Sequence, residues 1–327
     1  MRAIVLKRLA LFVIGAVVLG YLVAQAGAGS VAQYLDNLGI GLLVPVALVG
    51  AQHCLRALSW RFSARAMDQR VHYRELLQAR LGAEALGYLS LTGAIGSQTS
   101  KVLLLRKGVG ARSGTAAVAV DATASGIAGV LFMGGSLLAS QAVLGLPAWA
   151  AGLGGALAGA GALAWVMAAI WAGQRRHHVE IPNMDEVPTS KTEAARDAMR
   201  LVRVGLVRLH GLPFALMIAI HLAGHLALAA ATWSILSMLG ISTSFVAGLW
   251  FEAGAKLGNT LGAVVPARLG VFEAGVAASA NLLDLDPAAG IAVGLVRRLI
   301  DTLYVALGLS LTTLRPLDLG RRHRDVA

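Results

Sequence analysis

The stretch N259-TLGAVVPARLGVFEA-G275 breaks its own helix inside one of the most apolar regions of the chain and carries Arg268 and Glu273 with it. Gly262, Pro266 and Gly270 are poor continuations of a helix, because glycine adds backbone entropy and proline lacks an N–H. Non-helical backbone at membrane depth is tolerated where it is buried in protein or lines a cavity. The passage therefore reads as the turn of an interrupted membrane hairpin, spanning 244–284, with polar groups brought to its tip.

The rest of the 327 residues supports a membrane setting. Of them, 57% are hydrophobic and only 14% are charged, with a mean hydropathy of +0.71. Unbroken apolar runs exclude a β-barrel, whose strands alternate. The fold class is all-α: a single polytopic membrane domain, 1–327, with about six full spans near 8–26, 38–58, 114–140, 147–173, 211–239 and 288–314. A second apolar stretch, 81–105, is interrupted by Gly93, Gly96, Ser97, Gln98, Thr99 and Ser100. Met1–Arg8 and the run after it are expected to be a retained first helix rather than a cleaved signal.

The net charge of +11 is read as orientation signal rather than as nucleic-acid binding, because Lys and Arg gather at the ends of apolar runs. Arg2, Lys7 and Arg8 place the N-terminus in the cytoplasm, and Arg315, Arg321, Arg322 and Arg324 do the same for the C-terminus. Both ends of 81–105 are flanked by basic residues and are expected inside. Both ends of 244–284 are expected outside. The two broken stretches then enter from opposite faces, as re-entrant hairpins of an inverted repeat whose site lies near the midplane. The competing arrangement makes 244–284 two short spans. The two halves show little identity, so the repeat is inferred from topology.

The cytoplasmic loop 174–210 contains its own helix signal. Ser190 and Glu193 form a capping box, and Ala195, Met199, Val202, Leu206 and Leu209 follow at helical spacing. With Arg196, Arg200, Arg203 and Arg208 beside that stripe, a basic amphipathic helix on anionic inner-leaflet lipid is expected, with a solvated linker as the alternative.

Ionisable residues inside membrane spans are costly and face the bundle interior. Glu252 and Lys256 are spaced i, i+4, as are Arg297 and Asp301, and each pair is expected to neutralise itself on its own helix. Arg298 points about 100° away from Arg297, so an interhelical pair with Glu273 is one reading, and contact of Arg268, Arg297 or Arg298 with the phosphate of a lipid is the competing one. The candidate substrate-binding residues are Arg268, Glu273, Arg297, Arg298, Asp301, Asp121, Glu252, Lys256, Gln98 and Lys101, with Gly262, Pro266 and Gly270 as the structural break. Gly254, Gly258 and Gly262 recur every four residues and give a smooth packing face. His221 and His225 stand i, i+4 without a third ligand, so they and His53 are read as hydrogen-bonding groups. Cys54 is read as packing. No metal or cofactor is expected.

"VVPARLGVFEAG" followed by "GIAVGLVRRLIDTLYVALGL" resembles the signature of the lysylphosphatidylglycerol-synthase transmembrane, or flippase-like, family, at Pro266, Gly270, Glu273, Arg297 and Arg298. Ala267 stands where that family usually has glycine. "IGSQTSKVLLLRKGV" is similar to the other half of the family pattern, with Ser97 and Gln98 where an acidic residue is usual. "HLAGHLALAAATWSILSMLG" and the residues to Pro266 resemble the hopanoid-biosynthesis-associated subgroup, Glu252 included. The resemblance implies a bacterial inner-membrane protein that moves lipids between leaflets or membranes, with hopanoids or related isoprenoid lipids as the subgroup's substrates. It also implies the membrane part without the added soluble aminoacyl-transfer domain, so no enzyme activity is expected. With no G-x-x-x-x-G-K-[ST] motif, movement is expected to be passive or ion-coupled, through Glu273 or Asp121. An intramembrane lipid hydrolase or phosphatase using Glu84, Glu252 or Glu273 is the enzymatic alternative, and a scaffold for lipid synthesis is the third.

Overall fold

The computed structural model describes residues 17, 20–36, 38–89, 93–105, 110–173, 191–262, 265 and 269–314. Among them the chain is all-α and contains no strand. In chain order the helices are α1 (Ala28–Leu35), α2 (Leu43–Ala66), α3 (Tyr73–Leu89), α4 (Gly93–Leu105), α5 (Ala111–Leu144), α6 (Ala148–Gly173), α7 (Lys191–Leu209), α8 (Leu212–Met238), α9 (Phe245–Leu261), α10 (Val271–Asn281) and α11 (Pro287–Leu314).

Four segments are long and apolar enough to cross a bilayer: Ile40–Ala66, Arg112–Leu144, Ala148–Ile170 and Leu212–Met238. They match four of the spans expected from sequence. The last expected span forms the unbroken 28-residue α11, although Arg297, Arg298 and Asp301 dilute its apolar character. Most of the first expected span lies outside the described residues. The chain is thus a multi-pass α-helical membrane protein.

The interrupted stretches become pairs of short helices. α3 has 17 residues and α4 13, and α9 has 17 and α10 11. Each is shorter than the roughly 20 residues a crossing needs. Within the second pair the backbones nearly touch. A Cβ on Gly275 would lie 2.5 Å from the carbonyl oxygen of Gly254, and one on Gly258 would lie 2.7 Å from that of Val271. The expected glycine face is therefore the α9–α10 contact. The break ends at Gly270, whose φ of 77° is strained for any residue with a Cβ. Pro266 and Arg268 lie outside the described residues.

The two halves share a register that composition alone had hidden. α2 and α8 end at Ala66 and Met238, α3 and α9 start at Tyr73 and Phe245, and those two helices end at Leu89 and Leu261. All three pairs are separated by the same interval. The contacts obey the same exchange. α2 and α8 lie antiparallel, with Gly41 of the turn just before α2 against Met238, Gln52 against Gly224 and Ser59 against His221. α3 packs on α11 as α9 packs on α5. His53 packs on Tyr304 at a ring separation of 4.9 Å with the planes tilted by 45°, and His225 stacks on Phe132 at 5.1 Å. The fold is a pseudo-two-fold repeat of span, hairpin and span, with α6 and α7 added between the copies.

α7 corrects the expectation that its apolar stripe lies on lipid. Leu201, Val204, Leu206 and Leu209 are buried against α5, α2 and the start of α8, so protein covers the apolar stripe. Met199, placed on that stripe from sequence, is exposed, as are Arg196 and Arg200. Arg208 is anchored to the Ala66 carbonyl at 2.7 Å and to the Asp68 carboxylate at 2.6 Å. Ser190 of the predicted capping box lies outside the described residues. Cys54, expected to be packed, is exposed on α2.

Candidate functional site

The adjacent Arg297 and Arg298 diverge around α11 and serve different partners. Arg297 Nη1 donates to Thr232 Oγ1 at 2.8 Å, to Glu252 Oε2 at 3.1 Å and to the Leu228 carbonyl at 3.3 Å. Arg298 donates to Glu273 Oε1 at 2.5 Å through Nε and to the Tyr88 hydroxyl at 3.0 Å through Nη1. The expected interhelical Arg298–Glu273 pair is present. Glu273 is fully buried, and its second oxygen accepts the Gly270 N–H at 2.8 Å. It caps the helix it begins while holding a cation on the next.

The two expected in-helix pairs do not form. Glu252 turns to Arg297 on α11, and Lys256 instead lies 3.0 Å from His225 Nε2 on α8. Asp301 makes no hydrogen bond or ion pair with the described residues. The physical reason is burial. An i, i+4 pair is worth only about 0.2–0.5 kcal/mol, whereas a desolvated guanidinium needs several acceptors at once. For Arg297, α8 and α9 supply them together.

In the other half, Ser59 donates to Asp121 Oδ1 at 2.8 Å, and His221 Nε2 lies 2.9 Å from the serine oxygen and 3.1 Å from the same carboxylate oxygen. All three side chains are buried. Both contacts use one imidazole nitrogen, so the trio lacks the through-ring relay of a serine hydrolase, in which opposite nitrogens face acid and nucleophile. Lys101 donates to Gln98 Oε1 at 3.0 Å and stands 5.7 Å from the Trp60 ring centre. Arg80 pairs with Glu84 at 3.6 Å. Among the described residues no three His, Cys, Asp or Glu side chains converge to hold a metal.

These groups line two neighbouring chambers. The first, about 420 Å³, is bordered by His53, Tyr88, Glu252, Arg297, Arg298 and Asp301. The second, about 620 Å³, is bordered by Arg80, Gln98, Lys101, Asp121 and His221. Arg56, Glu84, Lys256 and Thr260 line both. The pseudo-two-fold exchanges them, since each is built from both spans, both first hairpin helices, one second hairpin helix and one closing span. Counted in the shared register, Arg80 and Glu84 on α3 correspond to Glu252 and Lys256 on α9. The scaffold repeats while the charges invert.

Of the sequence candidates, Glu252, Arg297, Arg298 and Asp301 meet at the first chamber, Gln98, Lys101 and Asp121 at the second, and Lys256 at both. Glu273 sits behind Arg298. Arg268 and Pro266 fall outside the described residues, while Gly262 and Gly270 bracket the break. Arg56, Arg80 and Tyr88 escaped the sequence reading, and Glu84 entered it only as a catalytic carboxylate. An arginine inside the apolar run 38–58 was itself the available signal for Arg56.

Residues 8–308 match the family model for the lysylphosphatidylglycerol synthase TM region. No curated protein matches the chain. The match covers most of the sequence, and the chain belongs to this family, which ties it to membrane lipids.

Proposed function

We propose that this member of the lysylphosphatidylglycerol synthase transmembrane family is a lipid transporter that moves a headgroup between leaflets through the two chambers. The observation that carries the reading is the pair of charged chambers, related by a pseudo-two-fold and sharing one wall, inside an otherwise apolar bundle. Inverted repeats that place a site between two copies are a recurrent design of membrane transporters. The short lengths of the helices in both pairs favour re-entrant hairpins entering from opposite faces. On this reading the protein sits in a bacterial inner membrane with both termini cytoplasmic, and the exposed Arg196 and Arg200 of α7 face anionic inner-leaflet lipid.

The cargo is a hopanoid, an isoprenoid-linked lipid or an anionic lipid. Transport is favoured over lipid hydrolysis because the buried Ser59–Asp121–His221 trio has no relay geometry. Either Asp121 or Glu273 is the natural point for ion coupling.

The test is transbilayer movement of labelled hopanoid, polyprenyl phosphate and phospholipid in proteoliposomes, with wild type and Glu273→Gln. Movement of one class, lost in the variant, supports transport. Absence of movement by folded wild-type protein overturns it in favour of a scaffold or an enzyme.

A further inference from the structure

The larger chamber is lined by four cations, Arg56, Arg80, Lys101 and Lys256, against two carboxylates, Glu84 and Asp121. Among the described residues Arg56, Lys101 and Lys256 form no ion pair. Lys101 reaches the amide oxygen of Gln98 and Lys256 an imidazole nitrogen of His225. Arg56 Nε is buried without any hydrogen-bond partner. Arg80, 2% exposed, reaches Glu84 only at 3.6 Å, and its Nε is also unsatisfied. The other carboxylate of this chamber, Asp121, is already engaged by Ser59 and His221.

An excess of positive charge away from bulk water is costly, and here three helices, α2, α4 and α9, each bring a cation to the same space: Lys101 is buried, while Arg56 and Lys256 are partly buried. The facing wall is kept small by Ser125, Gly126 and Gly129. A Cβ on Gly129 would lie 2.9 Å from Lys256 Cε, so the glycine leaves room for that lysine. A volume of about 620 Å³ falls within the roughly 300–1,000 Å³ typical of ligand pockets. An oxyanion would balance the excess of two positive charges in the chamber lining and supply several acceptor oxygens. Arginine reads such a group through its planar fork, while lysines bind it as point charges.

We infer that the larger chamber recognises the phosphate of a lipid headgroup, with Arg56 as the reading residue and Lys101 and Lys256 as supporting charges. This rests on the transport reading only for the lipid source of the phosphate; free phosphate is the other source. Arg56 also borders the smaller chamber, so one guanidinium can stay with the phosphate as it passes the shared wall. A neutral hopanoid or glycolipid offers no group for this site, and the substrate class narrows to phosphate-bearing lipids.

The test uses the full chain in detergent and follows its thermal unfolding with phosphatidylglycerol, a neutral glycolipid or sodium phosphate. Wild type is compared with Arg56→Gln and Arg56→Lys. Phosphatidylglycerol is expected to raise the wild-type midpoint and the glycolipid to leave it unmoved. Arg56→Gln is expected to keep or raise the midpoint of the lipid-free protein, since it removes one of the excess positive charges of the chamber. Its apparent affinity for phosphatidylglycerol should fall about 10- to 100-fold, with Arg56→Lys between the two. A purely structural Arg56 would instead lower the lipid-free midpoint of Arg56→Gln, and Arg56→Lys would bind phosphatidylglycerol as wild type does; that result overturns the site. Equal effects of glycolipid and phosphatidylglycerol overturn it too. If sodium phosphate reproduces the whole effect, the lipid source is overturned. Movement in proteoliposomes is read separately. Binding through Arg56 without movement keeps this site and removes the transport reading, whereas movement that ignores Arg56→Gln does the reverse.

Discussion

Glu273 and Arg298 lie on successive helices, yet one carboxylate oxygen receives the guanidinium at 2.5 Å while the other accepts the N–H that opens α10. A single buried side chain thus fixes both where the hairpin restarts its helix and how that helix meets α11. This double role changes what a charge exchange can report. Glu273→Ala is expected to cost about 3–5 kcal/mol, as for a buried pair broken from one side. The exchange Glu273→Arg with Arg298→Glu is expected not to restore stability, because arginine at 273 offers Gly270 no acceptor. Chemical unfolding of the purified variants in detergent checks both, and recovery in the exchanged protein would show the cap to be unimportant.

Which carboxylate Arg297 uses can be measured directly. A double-mutant cycle between Arg297 and Glu252, read by unfolding free energies, should give a coupling toward the upper part of the roughly 0.5–3 kcal/mol range for contacting groups. The cycle between Glu252 and Lys256, neighbours on one helix, should give less than about 0.5 kcal/mol. The reverse order would contradict the interhelical arrangement.

The glycine contact between α9 and α10 leaves no space for a methyl group. Gly275→Ala sets a Cβ against the Gly254 carbonyl, and backbone cannot step aside cheaply. A loss of about 1–3 kcal/mol is expected. Gly155→Ala on α6, where nothing lies within 4 Å, should be neutral or stabilising by up to about 1 kcal/mol through helix propensity. Thermal unfolding of the two variants side by side makes the comparison.

α7 separates packing from lipid contact. Leu206→Asp puts a charge into a buried face and should cost about 2 kcal/mol or more. The pair Arg196→Glu and Arg200→Glu, on exposed positions, should change stability in detergent by no more than about 0.5 kcal/mol. In nanodiscs the same pair should remove the stabilisation that anionic lipid gives. If it leaves that stabilisation intact, the basic face does not meet the leaflet.

The helices and the breaks were legible in the sequence because both are local. Apolar run length marked α2, α5, α6 and α8, and the residues from Gly262 to Gly270 announced their own interruption. Arg298 found its partner because 100° of rotation left it none on its own helix. The errors came where the partner lay on another helix. Spacing favoured Glu252 with Lys256 and Arg297 with Asp301, and only packing reveals that α8 and α9 offer Arg297 a better set of acceptors. The apolar stripe of α7 was assigned the wrong cover for a related reason, since an amphipathic stripe does not say whether lipid or protein lies against it. The repeat was inferred from topology alone. The equal interval from His53 to His225 and from Phe132 to Tyr304 was present in the sequence, but it acquires meaning only once each histidine is seen against its ring.

The inverted charges in the shared register bear on how such a protein would rest. Two halves with identical side chains could trade conformations across the pseudo-axis at no energetic difference, leaving the bundle equally poised toward either side. With Arg80 and Glu84 in one half and Glu252 and Lys256 in the other, two states exchanged by the pseudo-axis would differ in energy. Even a gap of a few kcal/mol leaves the minor state at about 0.1–10%. If the protein transports lipid as proposed, the empty protein would then wait open to one side of the membrane, and a bound headgroup would have to favour the other state for it to turn over.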